Sequence, residues 1–255
     1  MPADMTKPSI GRIYDYVLGG HHNFEIDRAA AQQILKVLPS YPRWARLNRW
    51  FLQMVAAQWA GDGHSQVLDL GSGLPTQGHF HDAMSNAKII YSDIDPVTVA
   101  YAREVLGDNP AVTYIQADIR EPSAILATAD RIFGGAHRIA VGAIGIAYFI
   151  DDANLARLAQ ALHAWAAPGS VMALSFISAD LTAPNVQPIL ETYRRNGADV
   201  YLRDEASVRQ LVAPWRMNEC RPLASWLGME SLIQESDREG SANAEMYGAL
   251  LDYGE

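Results

Sequence analysis

The sequence predicts an α/β fold, doubly wound about a mostly parallel sheet, on three observations. From residue 66 onward short apolar runs alternate with amphipathic segments, and several of those runs end in an acid or a glycine. In addition, 49% of the 255 residues are hydrophobic, enough to cover a sheet on both faces.

Residues 27–37 and 43–59 carry apolar side chains at helical spacing, and Pro39 and Pro42 break the chain between them. Two helices are therefore expected ahead of the core, forming an N-terminal cap over residues 1–62, with the core over 63–255. The core opens with strand–helix pairs: 66–70 with 77–85, 88–92 with 96–106, and 112–116 with a looser helical stretch. A strand at 138–146, an Ala-rich helix at 153–166, a strand at 170–177 and a helix near 186–196 continue the alternation. Residues 205–212 suit a further helix, and 227–234 and 244–251 read as closing strands.

Composition narrows the function. A net charge of −9 opposes a main task of neutralising nucleic-acid phosphates, which needs clustered Lys and Arg, and favours a small-molecule partner. Arg43, Arg46 and Arg49 recur every three residues beside Trp50 and Phe51, the spacing of a solvated helix face. No run of about 18 apolar residues exists to span a bilayer, the opening MPADMTKPSI lacks the regions of a secretory signal, and Cys220 is the single cysteine. A cytoplasmic protein without membrane attachment is expected.

In such a sheet ligands sit beyond the carboxyl ends of the strands. The first such junction is Asp69-Leu70-Gly71-Ser72-Gly73-Leu74-Pro75-Thr76. Gly71 and Gly73 permit a tight turn and close approach of backbone to ligand. Thr76 stands where the dinucleotide fingerprint requires its third glycine, and Asp69 would repel a pyrophosphate while suiting an ammonium or sulfonium group. The second junction is Asp93-Ile94-Asp95-Pro96. An acid about 20 residues beyond the glycines accepts from both ribose hydroxyls; Asp93 is assigned to that role and Asp95 to an N-cap before Pro96. At the third, Asp118 is placed to accept from an adenine amino group, with Ile94 and Ile119 sandwiching the ring.

These three junctions together resemble the class I S-adenosylmethionine (SAM) dependent methyltransferases over residues 65–177. The resemblance implies a Rossmann-like sheet of seven strands with the last antiparallel, Gly71 and Gly73 at the methionine end, Asp93 on the ribose and Asp118 on the adenine. A narrower resemblance, to a bacterial S-adenosyl methyltransferase family once catalogued as a domain of unknown function, covers most of the chain. It is carried by Tyr14-Asp15-Tyr16-Val17-Leu18-Gly19-Gly20, Asn23-Phe24, Asp27-Arg28, Arg46-Leu47-Asn48-Arg49, and Gly73-Leu74-Pro75-Thr76-Gln77-Gly78 with His81. This sequence departs from that family at His21-His22, where Lys-Asp is usual, and at Tyr148, where a histidine is usual.

The expected cofactor is SAM, or its product S-adenosylhomocysteine. Its site residues are taken as Tyr14, Tyr16, Asn23, Asp69, Gly71, Ser72, Gly73, Asp93, Ile94, Asp118, Ile119 and Ala143. Tyr14, Tyr16 and Asn23 would form a cover near the methionine moiety, their neighbouring glycines allowing close approach. Adjacent His21 and His22 point apart in most backbones, and His79 and His81 diverge on a helix, so a metal site is not expected. His21, His22 and Tyr148 are instead candidates for a base or for acceptor binding. The expected function is methyl transfer to a small-molecule acceptor whose identity stays open. The competing readings are a SAM-binding protein that does not methylate and a nicotinamide-dependent oxidoreductase.

Overall fold

Val67, Leu68 and Leu70, Ile89, Ile90 and Tyr91, and Val112, Tyr114 and Ile115 give the runs Gln66–Leu70 (β1), Lys88–Asp93 (β2) and Val112–Gln116 (β3) their apolar character, and in a computed structural model of the chain each is a strand. The structure describes residues 6–75, 78–135 and 138–254. Seven strands form one sheet in the order β3-β2-β1-β4-β5-β7-β6, completed by Ala140–Ala143 (β4), Val171–Ser178 (β5), Arg216–Pro222 (β6) and Glu245–Asp252 (β7). The first five strands pair in parallel, whereas β7 runs antiparallel to both β5 and β6. Strand order reverses between β1 and β4, which opens a crevice above their carboxyl ends.

Three helices precede the sheet rather than the two expected: Ile10–Val17 (α1), Glu25–Val37 (α2) and Tyr41–Gly61 (α3). The added helix, α1, is a single short amphipathic stretch with Gly11 inside it, too brief for periodicity to announce. Pro42 fits the first turn of α3, where its missing N–H costs nothing. Trp44, Leu47, Phe51, Val55 and Trp59 line the buried face of α3 and join the core on one side of the sheet. Helices α1 and α2 instead share a smaller cluster built on Ile13, Val17, Ala31 and Ile34.

The crossovers are covered by Phe80–Ala83 (α4), Pro96–Leu106 (α5), Pro122–Phe133 (α6) and Asp152–Trp165 (α7), followed by Val186–Arg195 (α8), Glu205–Leu211 (α9), Leu223–Trp226 (α10) and Glu235–Gly240 (α11). The helix expected over 77–85 shrinks to α4, and the Thr76-Gln77 part of that expectation lies outside the described residues. The strand expected over 227–234 is absent: Gly228 turns the chain at φ +63° and a 3-10 turn occupies Glu230–Leu232. Its place at the sheet edge goes to β6, whose mostly polar RMNECRP buries little because an edge strand has a single neighbour. No helix among the described residues is long and apolar enough to cross a membrane.

Candidate active site

A cavity of about 560 Å³ lies above the carboxyl ends of β1 to β4. Its floor is the turn after β1. Gly71 and Gly73 hold φ of +61° and +64°, in the left-handed region where a Cβ is penalised, and a Cβ on Gly71 would overlap Ile146. The turn is clamped from beneath: the Ser72 amide donates to Ser92 O (2.8 Å), and the Ser72 and Ser92 hydroxyls both donate to Asp69 O (3.0 and 3.1 Å). The Tyr114 hydroxyl donates to Gly73 O at 2.5 Å.

Two carboxyls sit at this end, Asp69 buried and Asp93 half-buried. Asp93 Oδ2 accepts from the Gly73 amide (3.1 Å) and Oδ1 from the Asp95 amide (2.9 Å), while burial pushes its pKa up to about 6. Asp69 is more deeply placed; burial raises it to about 7, and its Oδ2 has no hydrogen-bond partner among the described residues. An uncompensated buried oxygen of this kind is expensive without a partner. Asp95 accepts from the Val97 amide, as the expected N-cap of α5, and also from Arg12.

At the third strand end Asp118 is more open, and Arg120 holds both its oxygens (2.6 to 3.0 Å), lowering its pKa chiefly through those hydrogen bonds. Ile94, 54% exposed, and Ile119 line the cavity on either side of this acid.

The cavity thus brings together Tyr14, Asp69, Gly71, Ser72, Gly73, Asp93, Ile94, Asp118 and Ile119. It does not include Tyr16, Asn23 or Ala143, each of which differs from expectation for a local reason. Tyr16 turns outward, its hydroxyl accepting from Gln32 Nε2 (2.8 Å). Asn23 is spent on the turn itself, donating to Asp15 Oδ2 and Gly20 O. Ala143 is enclosed in the core on β4, and the chain reaches the cavity one residue later, at Ile144. The glycines of the N-terminal stretch serve its own turn, with Gly20 pressed against Asp15.

Of the three candidate bases, His21 is exposed and His22 faces Tyr101 edge-on at 6.0 Å, neither on the cavity wall. Tyr148 lies in a neighbouring chamber described below. His79 is buried as the residue before α4, its ring stacked on His81 at 6.2 Å rather than diverging on a longer helix.

Several cavity residues escaped sequence reasoning. Arg12 is 1% exposed, and its guanidinium bonds Asp27 (2.7 Å) and Asp95 (2.5 Å), fastening α1 over the Asp93 end. The reading of Arg43, Arg46 and Arg49 as one solvated face holds only for Arg46. Arg43 pairs with Asp237, distant in sequence, and Arg49 lines the cavity with Nη1 2.6 Å from His79 Nε2 and its charge over the Tyr14 ring. Arg12 and Arg120 are engaged by carboxylates, whereas Arg49 has no carboxylate of the described residues within ion-pair distance. For Arg49 the available signal was its place in the quoted motif Arg46-Leu47-Asn48-Arg49; Arg12 lies outside the quoted motifs and gave none.

A seven-stranded sheet with one antiparallel strand near its end, and a glycine turn and two acids placed at successive strand ends, define the Rossmann-like fold of the class I SAM-binding methyltransferase superfamily. The chain belongs within it to the S-adenosyl methyltransferase family, whose profile matches residues 2–231. A crystal structure from Thermobifida fusca, described as a candidate methyltransferase, is 27% identical with a TM-score of 0.85 over 99% of this chain and 97% of that one. A protein of the DUF574 family from Streptomyces avermitilis is 23% identical, TM-score 0.83, over 98% of each chain. Magnesium protoporphyrin IX methyltransferase from Synechocystis, with S-adenosylhomocysteine bound, shares the fold at 14% identity and a TM-score of 0.53 over 93% of this chain and 92% of that one. No curated protein sequence matches the chain.

Proposed function

We propose that the protein is a SAM-dependent methyltransferase acting on a small-molecule acceptor, with the N-terminal helices capping the cofactor. The observation that carries this reading is the Asp69, Gly71–Gly73, Asp93 and Asp118 constellation around one cavity in a chain of this family. The residues present fit the cofactor. Asp69 offers a buried, unpartnered carboxyl oxygen to a cationic group, and Gly71 and Gly73 leave the backbone open to close approach. Asp93 would accept from the ribose hydroxyls, Ile94 and Ile119 would flank the adenine, and Asp118, its pKa lowered by Arg120, would accept from the adenine amino group. Arg49, which lines the cavity and forms no ion pair with a carboxylate among the described residues, suits the methionine carboxylate.

The bound cofactor supplies an electrophilic methyl on a sulfonium. The chain's own contribution is to align that methyl with the acceptor and to exclude water, the part of such a displacement that positioning accelerates most. With His21 and His22 off the cavity wall, Tyr148 is the remaining one of the three candidates for a group beside the acceptor. The acidic net charge and single cysteine support a small-molecule acceptor in the cytoplasm rather than a nucleic acid. Incubating the protein with SAM and a broad acceptor panel tests the reading. Formation of S-adenosylhomocysteine with at least one acceptor is expected; tight SAM binding with no product from any acceptor would favour a non-methylating SAM-binding protein. NADH binding that competes with SAM would point instead to an oxidoreductase.

A further inference from the structure

A second chamber, of about 70 Å³, lies behind the main cavity and shares Phe149 with it as a wall. Segment 197–201 separates the two: Asp199 and Tyr201 line the main cavity, and Val200 lines the chamber. The rest of the chamber includes Tyr41, Trp44, Tyr148, Tyr193 and Ala244, with no charged residue among its lining. Tyr41 and Tyr193 meet edge to face at 6.1 Å, and Phe149 leans on Tyr148 at 4.6 Å.

Two polar groups stand where the spaces adjoin. The Tyr148 hydroxyl has no hydrogen bond to any described residue. A methyl placed on Gly145, which lines the main cavity, would lie 3.9 Å from that hydroxyl and 2.8 Å from Asn48 Nδ2. Asn48 is itself buried, and its Oδ1 has no partner. The Tyr148 hydroxyl and the Asn48 amide therefore both stand against Gly145, which lines the main cavity, while Tyr148 also lines the chamber, so polar groups adjoin an apolar socket.

We infer that this chamber is the acceptor subsite, taking the uncharged apolar end of the acceptor, with Tyr148 and Asn48 binding the polar atom next to it. The inference rests on the methyltransferase reading above and deepens it. The socket is smaller than the ~150 Å³ cavity that holds a benzene, so it accepts the edge of a single ring or a branched alkyl group, not a fused ring system. Burying a charged group there would leave that charge unpaired among aromatic walls, which strongly selects for neutral acceptors.

The test uses three fluorinated rings that differ in charge: 4-fluorophenol, 4-fluorobenzoate and 4-fluorobenzylamine, titrated into protein saturated with S-adenosylhomocysteine and followed by fluorine NMR. Saturable binding of 4-fluorophenol, at least about tenfold tighter than that of either charged ring, is expected from the desolvation cost of a charge. Val200→Phe and Ala244→Met, each filling the chamber, should each weaken 4-fluorophenol at least tenfold while leaving S-adenosylhomocysteine affinity within twofold. Absence of 4-fluorophenol binding, equal binding of all three rings, or folded filling variants that bind like wild type would overturn the subsite. Failure of S-adenosylhomocysteine to bind wild type overturns the cofactor reading instead, so the two failures are distinguishable.

Discussion

At the β1–β2 end of the cavity Asp93 receives two backbone amides, while at the β3 end Asp118 is held by one side chain, Arg120. Both are acids at strand ends and look alike as sequence. Their surroundings make them different instruments. Backbone donors cannot swing away, and the Arg12–Asp95 pair fixes the loop that carries them, so the Asp93 end is rigid before any ligand arrives. Arg120 is 52% exposed, so the β3 end depends on a solvent-facing ion pair, which contributes little fixed structure. On the proposed cofactor reading Asp93 is expected to supply affinity and Asp118 selectivity.

The largest effect should come from the latch beneath the rigid end. Arg12→Met leaves Asp27 buried without its cation, and breaking such a pair costs about 3–5 kcal/mol of stability. Urea unfolding checks it; a loss below about 1 kcal/mol would mean that α1 is not anchored through Arg12.

A smaller but more specific effect belongs to Asp93→Ala, expected to weaken SAM by about 1–3 kcal/mol, the cost of unpaired buried polar groups. Unchanged affinity would remove Asp93 from the site and erase the contrast with Asp118. The same end should respond to pH. Asp69 and Asp93 are raised to about 7 and about 6, above the ~4 of an unfolded carboxyl. Their contribution to stability is therefore fully present below about pH 4 and is lost as pH rises through 6 and 7. The ligand-free protein should lose thermal stability from these groups across pH 5 to 7.5. Ribose hydroxyls and a cation both favour the ionised carboxyls, so SAM affinity should rise over the same interval. Melting curves with and without SAM read both slopes, and parallel slopes would contradict the assignment.

The smallest effect is expected at the β3 end. Asp118→Ala breaks a partly exposed pair with Arg120, and its effect on folding should stay below about 1 kcal/mol. Its mark should instead be reduced discrimination between SAM and an analogue lacking the adenine amino group, measured by competition. Undiminished discrimination would transfer that role to another residue.

How legible these features were depended on where their partners come from. The strand ends stood out because Asp69-Leu70-Gly71, Asp93 and Asp118 interrupt apolar runs at regular intervals, a pattern visible without knowing their partners. Antiparallel β7 was visible as an apolar run, whereas β6, at the sheet edge with one paired neighbour, carries too few apolar residues to show. Leu227 and Ile233 mimicked a strand until Gly228 turned the chain. Arg43 and Arg49 looked solvated because their contacts, Asp237 and His79, arrive from distant segments that periodicity cannot see. Tyr16 and Asn23 misled for the converse reason: polar residues beside a glycine turn often serve the turn, as Asn23 does through Asp15.

The most direct measurement of the central claim is a calorimetric titration of SAM into the wild-type protein at pH 7.5. The account predicts saturable binding at one site per chain, abolished or strongly weakened when Asp69 and Asp93 are both replaced by alanine in a variant shown to be folded. No heat of binding, or binding that this folded double variant retains unchanged, would contradict it.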